Sequence, residues 1–188
     1  NNFLYVHKEA DWEKSLKVIL NAKTHKISAC NALDKILMDT QIDGYEDKLK
    51  ELQRVLTANN VSIIVDDEVK KVLTDEDAIT DDSIWQEECV IGAVDNIDEA
   101  IAKINANSGG HSASIMTENN EVARTFMENI DCAAVYQNAS TRFTDGGQMG
   151  VGAELAISTD KLHHRGPLGL KQLVTNKYYV FGDGQIRV

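Results

Sequence analysis

Cys30, in "ISACNA", is a thiol among small and polar residues, and the stretch after it, "NALDKI", has the composition of a helix start. A thiol at a helix N-terminus feels the positive end of the macrodipole, which favours the nucleophilic thiolate. Lys23, His25 and Lys26 add positive charge nearby. The same pattern also suits a cysteine that only packs, since free cysteines are among the most buried residue types. Cys89 and Cys132, beside strand and helix-end patterns, read that way. His111, after "SGG", and the His163-His164 pair before "RGPLG" are candidate bases for a thiol, but nothing local singles one out. Arg142 lies in "NASTRFTDGG", beside hydroxyls and an aspartate in a loop of little apolar content. That mixture suits a small zwitterion or carboxylate, which a guanidinium grips with two parallel hydrogen bonds. A surface salt bridge is the plainer alternative.

The chain that must hold these groups has 188 residues, 43% of them hydrophobic, enough for a full core in one domain or two small ones. Its longest apolar runs, such as "VSIIV", fall far short of the ~20 residues a membrane helix needs. A net charge of −11 without a Lys/Arg stripe argues against nucleic acid as a partner. Much of the acid lies in "TDEDAITDDS" and "WQEE", which reads as a solvated loop. Cys30, Cys89 and Cys132 are odd in number and widely spaced, which suits a reducing cytoplasm better than a disulfide framework, and no pair has metal-ligand spacing. The chain opens on Asn1 and enters an apolar strand pattern at once, as expected of a piece of a longer protein.

Two hydrophobic periods alternate along the chain. "NNFLYV", "KILMD", "VSIIVDD", "VIGAV", "HSASIMT" and "AAVYQNA" read as strands. "DWEKSLKVILNA", "YEDKLKELQRVLTANN", "NIDEAIAKINANSG" and "NNEVARTFMENID" read as helices, the first with Asp11 as N-cap and Trp12, Leu16, Ile19 and Leu20 on one face. "DEVKKVL" reads as a short helix. Such alternation predicts an α/β fold with a mostly parallel sheet covered by helices. From about Ser140 the character changes: eight of the 12 glycines and the only proline lie there, so the backbone must turn sharply or approach something closely. No G-x-G-x-x-G and no Walker pattern is present. The last segment, "NKYYVFGDGQIRV", reads as a strand or hairpin that pairs outside its own domain.

The segment "AVYQNASTRFTDGGQMGVGAELAISTDKLHHRGPLGLKQLVTNKYYVFGDGQIR" resembles the C-terminal portion of the gamma-glutamyl phosphate reductase family, also called glutamate-5-semialdehyde dehydrogenases, within the aldehyde dehydrogenase superfamily. "NAKTHKISACNA" is similar to that family's cysteine segment, with Ile27 where proline is usual. "VDNIDEAIAKIN" followed by "GGHSASIMTEN" is similar to its helix-then-strand stretch.

The resemblance implies an aldehyde dehydrogenase-like catalytic domain at 1–175 and an inter-domain or inter-subunit strand at 176–188, with the NADP-binding domain upstream and absent from this chain. It implies NADPH-dependent reduction of L-glutamyl 5-phosphate to glutamate 5-semialdehyde and phosphate, the second step of proline biosynthesis. Cys30 is then the nucleophile, and its backbone N–H an oxyanion donor, with Asn31 and Ser28 close by. Asn138, Ser140, Thr141, Arg142, Phe143, Thr144 and Asp145 form the substrate loop, Arg142 taking the α-carboxylate and Asp145 the α-ammonium. Glu88 is a candidate for the cofactor ribose, and the glycines of "MGVG" let the backbone pass under the site. A homo-oligomer, an association with glutamate 5-kinase and an inactive isolated fragment are further expectations. The alternatives are the reductase half of a bifunctional pyrroline-5-carboxylate synthase and a non-catalytic domain that kept the fold.

Overall fold

The computed structural model describes residues 1–73 and 87–188, so most of the acidic stretch falls outside the described residues. Its centre is a six-stranded sheet of β1 (Phe3–Val6), β2 (Lys35–Asp39), β3 (Ser62–Val65), β4 (Glu88–Val94), β5 (Ser112–Met116) and β6 (Ala134–Gln137). The strand order is β3-β4-β2-β1-β5-β6, and every neighbouring pair is parallel. Parallel strands need crossovers, and the helices that supply them cover both faces. Every residue of β1 and β5 is therefore buried.

The crossovers are α1 (Trp12–Thr24), α2 (Tyr45–Ala58), α3 (Ile97–Asn107) and α4 (Asn120–Asn129). Asp11 caps α1 by accepting from the Lys14 N–H, and Asn96 and Asn119 cap α3 and α4 in the same way. Leu4, Val6, Ile36 and Met38 face α1 and α2, where Ile19, Leu49, Leu52 and Leu56 pack on them. Phe3, Tyr5, Ala113 and Ile115 face the other way, against Ala100, Ile104, Ala123 and Phe126. The alternation of side chains along β1 thus feeds two cores from one strand. Within α1, Ile19 turns fully inward with Ser15 and Ala22; Trp12 and Leu16 flank them and Leu20 is half-buried.

Two expectations are corrected. No helix begins after Cys30: residues 25–32 make successive turns and the chain then enters β2 at Lys35. Leu33 N–H bonds to the Ala22 carbonyl, pulling this stretch back against α1 and into the strand. "DEVKKVL" makes only a 3-10 turn, Val69–Lys71. Residues 176–188 are exposed throughout and pair with no strand of this chain among the described residues. A strand needs a neighbour for its N–H and C=O groups, and none lies beside this segment among the described residues. The C-terminal hairpin lies earlier, where β7 (Ala156–Ser158) pairs antiparallel with β8 (Gly166–Leu168). Arg165 and Lys161 tie that hairpin to Asp131 at the end of α4.

Candidate active site

The turn carrying Cys30 sits at the N-terminal edge of the parallel strands, just before β2. It is held from two sides. His25 closes α1 by bonding to the Asn21 carbonyl, and Ala29 N–H and Ala32 N–H close tight turns on Lys26 and Ala29. From the other side Asn2, the residue before β1, donates its Nδ2 to the carbonyls of Cys30 at 2.8 Å and Ala32 at 2.7 Å. Asp34 accepts from the Asn2 N–H at 2.7 Å. The Cys30 side chain is exposed. Its backbone N–H donates to nothing among the described residues.

The second half of the site arrives from β6. Asn138, at φ 52°, adopts the left-handed conformation that reverses the chain. Its side chain both accepts from the Thr117 N–H at 2.9 Å and donates to the Thr117 carbonyl at 2.8 Å. The chain then runs back along β5: Ser114 Oγ donates to the Ala139 carbonyl at 2.7 Å, and Ser112 Oγ meets Thr144 Oγ1 at 2.7 Å. Ser112 and Ser114 share the strand face of Met116, so β5 presents hydroxyls to the returning loop where an apolar strand would repel it. Tyr136 OH adds a second bond to the Thr144 hydroxyl at 2.9 Å.

The two halves meet at Asn31. Its Nδ2 donates to the Thr144 carbonyl at 2.8 Å and to the Arg142 carbonyl at 3.3 Å. Thr141 Oγ1 donates in return to the Asn31 carbonyl at 2.8 Å. The residue bonded to Cys30 and the residues flanking Arg142 are thereby joined across more than a hundred positions of sequence.

The expected site residues separate into two groups. Ser140, Thr141 and Thr144 are buried, and their hydroxyls engage the protein. Asn31 spends both amide hydrogens on the loop carbonyls, so in this geometry it braces the loop and offers no oxyanion donor. Asn138 likewise bonds to β5. Asp145 caps a turn, its Oδ1 accepting from Gly147 N–H at 2.9 Å and Gln148 N–H at 3.1 Å. Arg142 differs: among the described residues its guanidinium makes no ion pair, and its Nε is buried without a partner. Among the described residues no salt bridge to Arg142 forms. Ser28, Cys30 and Phe143 are exposed.

The glycine expectation holds at two kinds of position. A Cβ on Gly146 would lie 2.8 Å from the Gly152 carbonyl oxygen, and Gly150 and Gly152 have φ of 73° and 89°. A side chain would clash with backbone at Gly146 and strain the backbone at Gly150 and Gly152.

No histidine is hydrogen-bonded to the Cys30 thiol among the described residues. His111 Nδ1 bonds to Ser112 Oγ at 2.8 Å, and burial lowers its pKa, keeping the ring neutral. His164 Nε2 bonds to the Pro167 carbonyl inside the hairpin, and His163 is exposed. Burial pushes the Cys89 thiol up to about 12 and raises Cys132 as well, so neither competes as a thiolate. The charge near Cys30 also changes character. The end of α1 that points at the turn is its C-terminus, the negative end of the dipole, while His25 and Lys26 are exposed and Lys23 is fully buried with an unpartnered Nζ.

Buried polar atoms without partners gather here: Asn2 Oδ1, Lys23 Nζ, Asn31 Oδ1, His111 Nε2 and Arg142 Nε belong to residues on or beside the Cys30 turn and the loop facing it. Each such atom costs on the order of 1–3 kcal/mol, and their concentration at one edge of the sheet marks a polar site rather than a core. Asn2, Ser112 and Tyr136 were not singled out in the sequence. The polar alternation of "HSASIMT" is the one signal that could have found Ser112.

Glu88 opens β4 on this same edge, beside Ser62. One carboxylate is not a dinucleotide cradle, and no glycine-rich turn joins a strand to a helix among the described residues. The residues present do not fit a whole nicotinamide cofactor.

An exposed thiol, and an arginine that makes no ion pair among the described residues, lie on two segments joined through Asn31 at one edge of a parallel α/β sheet. Residues 69–154, just under half of the chain, match the model of the Aldehyde dehydrogenase family. Over its whole length it is 46% identical to the gamma-glutamyl phosphate reductase of Dictyoglomus thermophilum and 44% identical to that of Clostridium botulinum, covering 46% of each. It superposes on the crystal structure of gamma-glutamyl phosphate reductase from Thermotoga maritima with a TM-score of 0.92 at 41% identity, covering 100% of this chain and 46% of that one. An acetylating aldehyde dehydrogenase from Geobacillus thermoglucosidasius shares the fold, with a TM-score of 0.66 at 14% identity over 100% of this chain and 52% of that one. The chain spans about half the length of the curated relatives it matches.

Proposed function

We propose that this chain is the nucleophile- and substrate-bearing portion of an enzyme that reduces L-glutamyl 5-phosphate to L-glutamate 5-semialdehyde and phosphate, a step of proline biosynthesis. The observation that carries the reading is the Asn31 junction, which ties the turn bearing the exposed Cys30 thiol to the loop bearing Arg142, whose guanidinium makes no ion pair among the described residues. The similarity to gamma-glutamyl phosphate reductases supports it.

In this reading Arg142 grips the α-carboxylate of the substrate with both arms of its guanidinium. Phe143, half exposed beside it, lies along the methylene chain, and Asp145 takes the α-ammonium. The Cys30 thiolate attacks the acyl carbon of the mixed anhydride. A carbon–sulfur bond forms and the carbonyl electrons move onto oxygen, where the Cys30 N–H meets the developing charge. Collapse breaks the carbon–oxygen bond to phosphate, which leaves with the electron pair, and a thioester on Cys30 remains. A nicotinamide cofactor, NADPH by the family resemblance, supplies the hydride chemistry when bound by a part of the protein outside this chain. Segment 176–188 is the strand that pairs with another domain or subunit of a homo-oligomer.

The reaction is tested in reverse on the full-length protein, as phosphate-dependent NADP reduction by glutamate 5-semialdehyde. Cys30→Ala is expected to abolish it with the circular dichroism spectrum unchanged. Substantial residual activity sinks the assignment of the nucleophile.

A further inference from the structure

We infer that Asn31 is a positioning residue that sets the length of substrate the site accepts; the inference rests on the reading of Cys30 and Arg142 given above. A substrate held by its carboxylate at one end and attacked at the other must span the separation between guanidinium and sulfur. That separation depends on how the Cys30 turn is joined to the Arg142 loop.

The join is direct. Asn31 is covalently next to Cys30, and its Nδ2 holds the carbonyl of Arg142 itself and that of Thr144. Thr141, next to Arg142, returns a bond to the Asn31 carbonyl. Asn31 is buried, and Thr141 and Thr144 are completely so, which shields these bonds from water. Each partner is backed by a separate element. Asn2 pins the carbonyls on either side of Asn31, while Ser112 and Tyr136 hold the Thr144 hydroxyl from β5 and β6. The two halves of the site are therefore rigid individually, and Asn31 with Thr141 carries the register between them.

A displacement of about 1 Å between reacting groups is enough to cost on the order of a hundredfold in rate. One methylene is worth about 10- to 200-fold in discrimination. Loosening the join is thus expected to act on the choice between chain lengths more than on thiol chemistry itself.

The test compares glutamate 5-semialdehyde with the one-carbon-shorter aspartate 4-semialdehyde, in the full-length enzyme and its Asn31→Ala and Thr141→Val variants. The ratio of kcat/KM for the longer over the shorter aldehyde is expected to fall about tenfold in either variant. The second-order rate of Cys30 alkylation by iodoacetamide, measured without substrate, stays within about twofold of wild type. An unchanged ratio in a folded variant overturns the inference. So does a fall in alkylation rate that matches the loss of kcat for both aldehydes, since Asn31 then acts on the thiol. Should one variant fail to fold, the other decides. Wild-type enzyme inactive with glutamate 5-semialdehyde would refute the functional reading itself, whereas an active wild type with an unmoved ratio refutes only the role of Asn31.

Discussion

The hydroxyls of Ser112 and Thr144 meet at 2.7 Å inside the protein, joining the first residue of β5 to the last buried residue of the loop that carries Arg142. Tyr136 OH converges on the same Thr144 oxygen. Removing that oxygen leaves two buried polar groups short of a partner. Thr144→Val, which keeps the shape, is expected to lower the unfolding free energy by about 1–3 kcal/mol in urea titration. Combined with Ser112→Ala, it should lose less than the sum of the single variants, because the second change removes a group already orphaned. Simple additivity would mean the hydroxyls are not coupled.

Thiol labelling separates the cysteines by burial. Cys30 is exposed, whereas Cys89 and Cys132 are buried and burial raises both thiols. Brief treatment of native protein with iodoacetamide, mapped by mass spectrometry, should modify Cys30 and spare the other two until denaturant is added. Equal labelling of Cys89 would contradict the core packing described above.

Arg142→Ala is expected to raise KM for glutamate 5-semialdehyde by about 10- to 100-fold, the loss of a charge-assisted pair. Arg142→Lys should recover only part of it, because an ammonium cannot pair bidentately. An unchanged KM removes Arg142 from the substrate site.

Acid sensitivity has an identifiable contributor in His7. The ring is buried, its Nδ1 bonded to Thr117 Oγ1 at 3.0 Å. Burial lowers its pKa despite Asp39 and Glu9, which raise it, and with Lys8 adding to the lowering. A histidine held neutral in the fold binds fewer protons than it does unfolded. Its contribution to stability is full above the ordinary value of 6.5 and erodes as pH falls below it toward the lowered value. Between about pH 7.5 and 5.5 the wild type should therefore lose more unfolding free energy than His7→Gln does. Parallel curves would rule His7 out.

The layout of the sheet was legible because it rests on local rules. The apolar run "FLYV" marks a strand covered on both faces, "SIIV" forms a strand at the sheet edge with Ser62 exposed, and Asp11, Asn96 and Asn119 announce helix starts by the hydrogen bonds their side chains accept. The turn after Cys30 was not legible. "NALDKI" has acceptable helix composition, yet Leu33 is claimed by the Ala22 carbonyl and Lys35 by β1, and those long-range pairings override a weak local preference. The C-terminal segment pairs with no strand of this chain among the described residues, because pairing needs a neighbour that composition does not supply.

By itself the sequence determined the residue types to which the proposed function gives the chemistry, the thiol at 30 and the guanidinium at 142, and through the motifs around them the resemblance to a family. Which polar side chains face a substrate and which brace the protein was decided only by tertiary structure. Asn31, Thr141 and Thr144 have the chemistry of ligand-binding residues, and in sequence nothing distinguishes them from Arg142. The fold returns the loop from β6 along β5 to the N-terminal edge, where the amide and hydroxyls find backbone carbonyls and each other within 3.3 Å. A hydrogen-bonding group is defined by its partner, and these partners lie as much as 113 residues away in sequence.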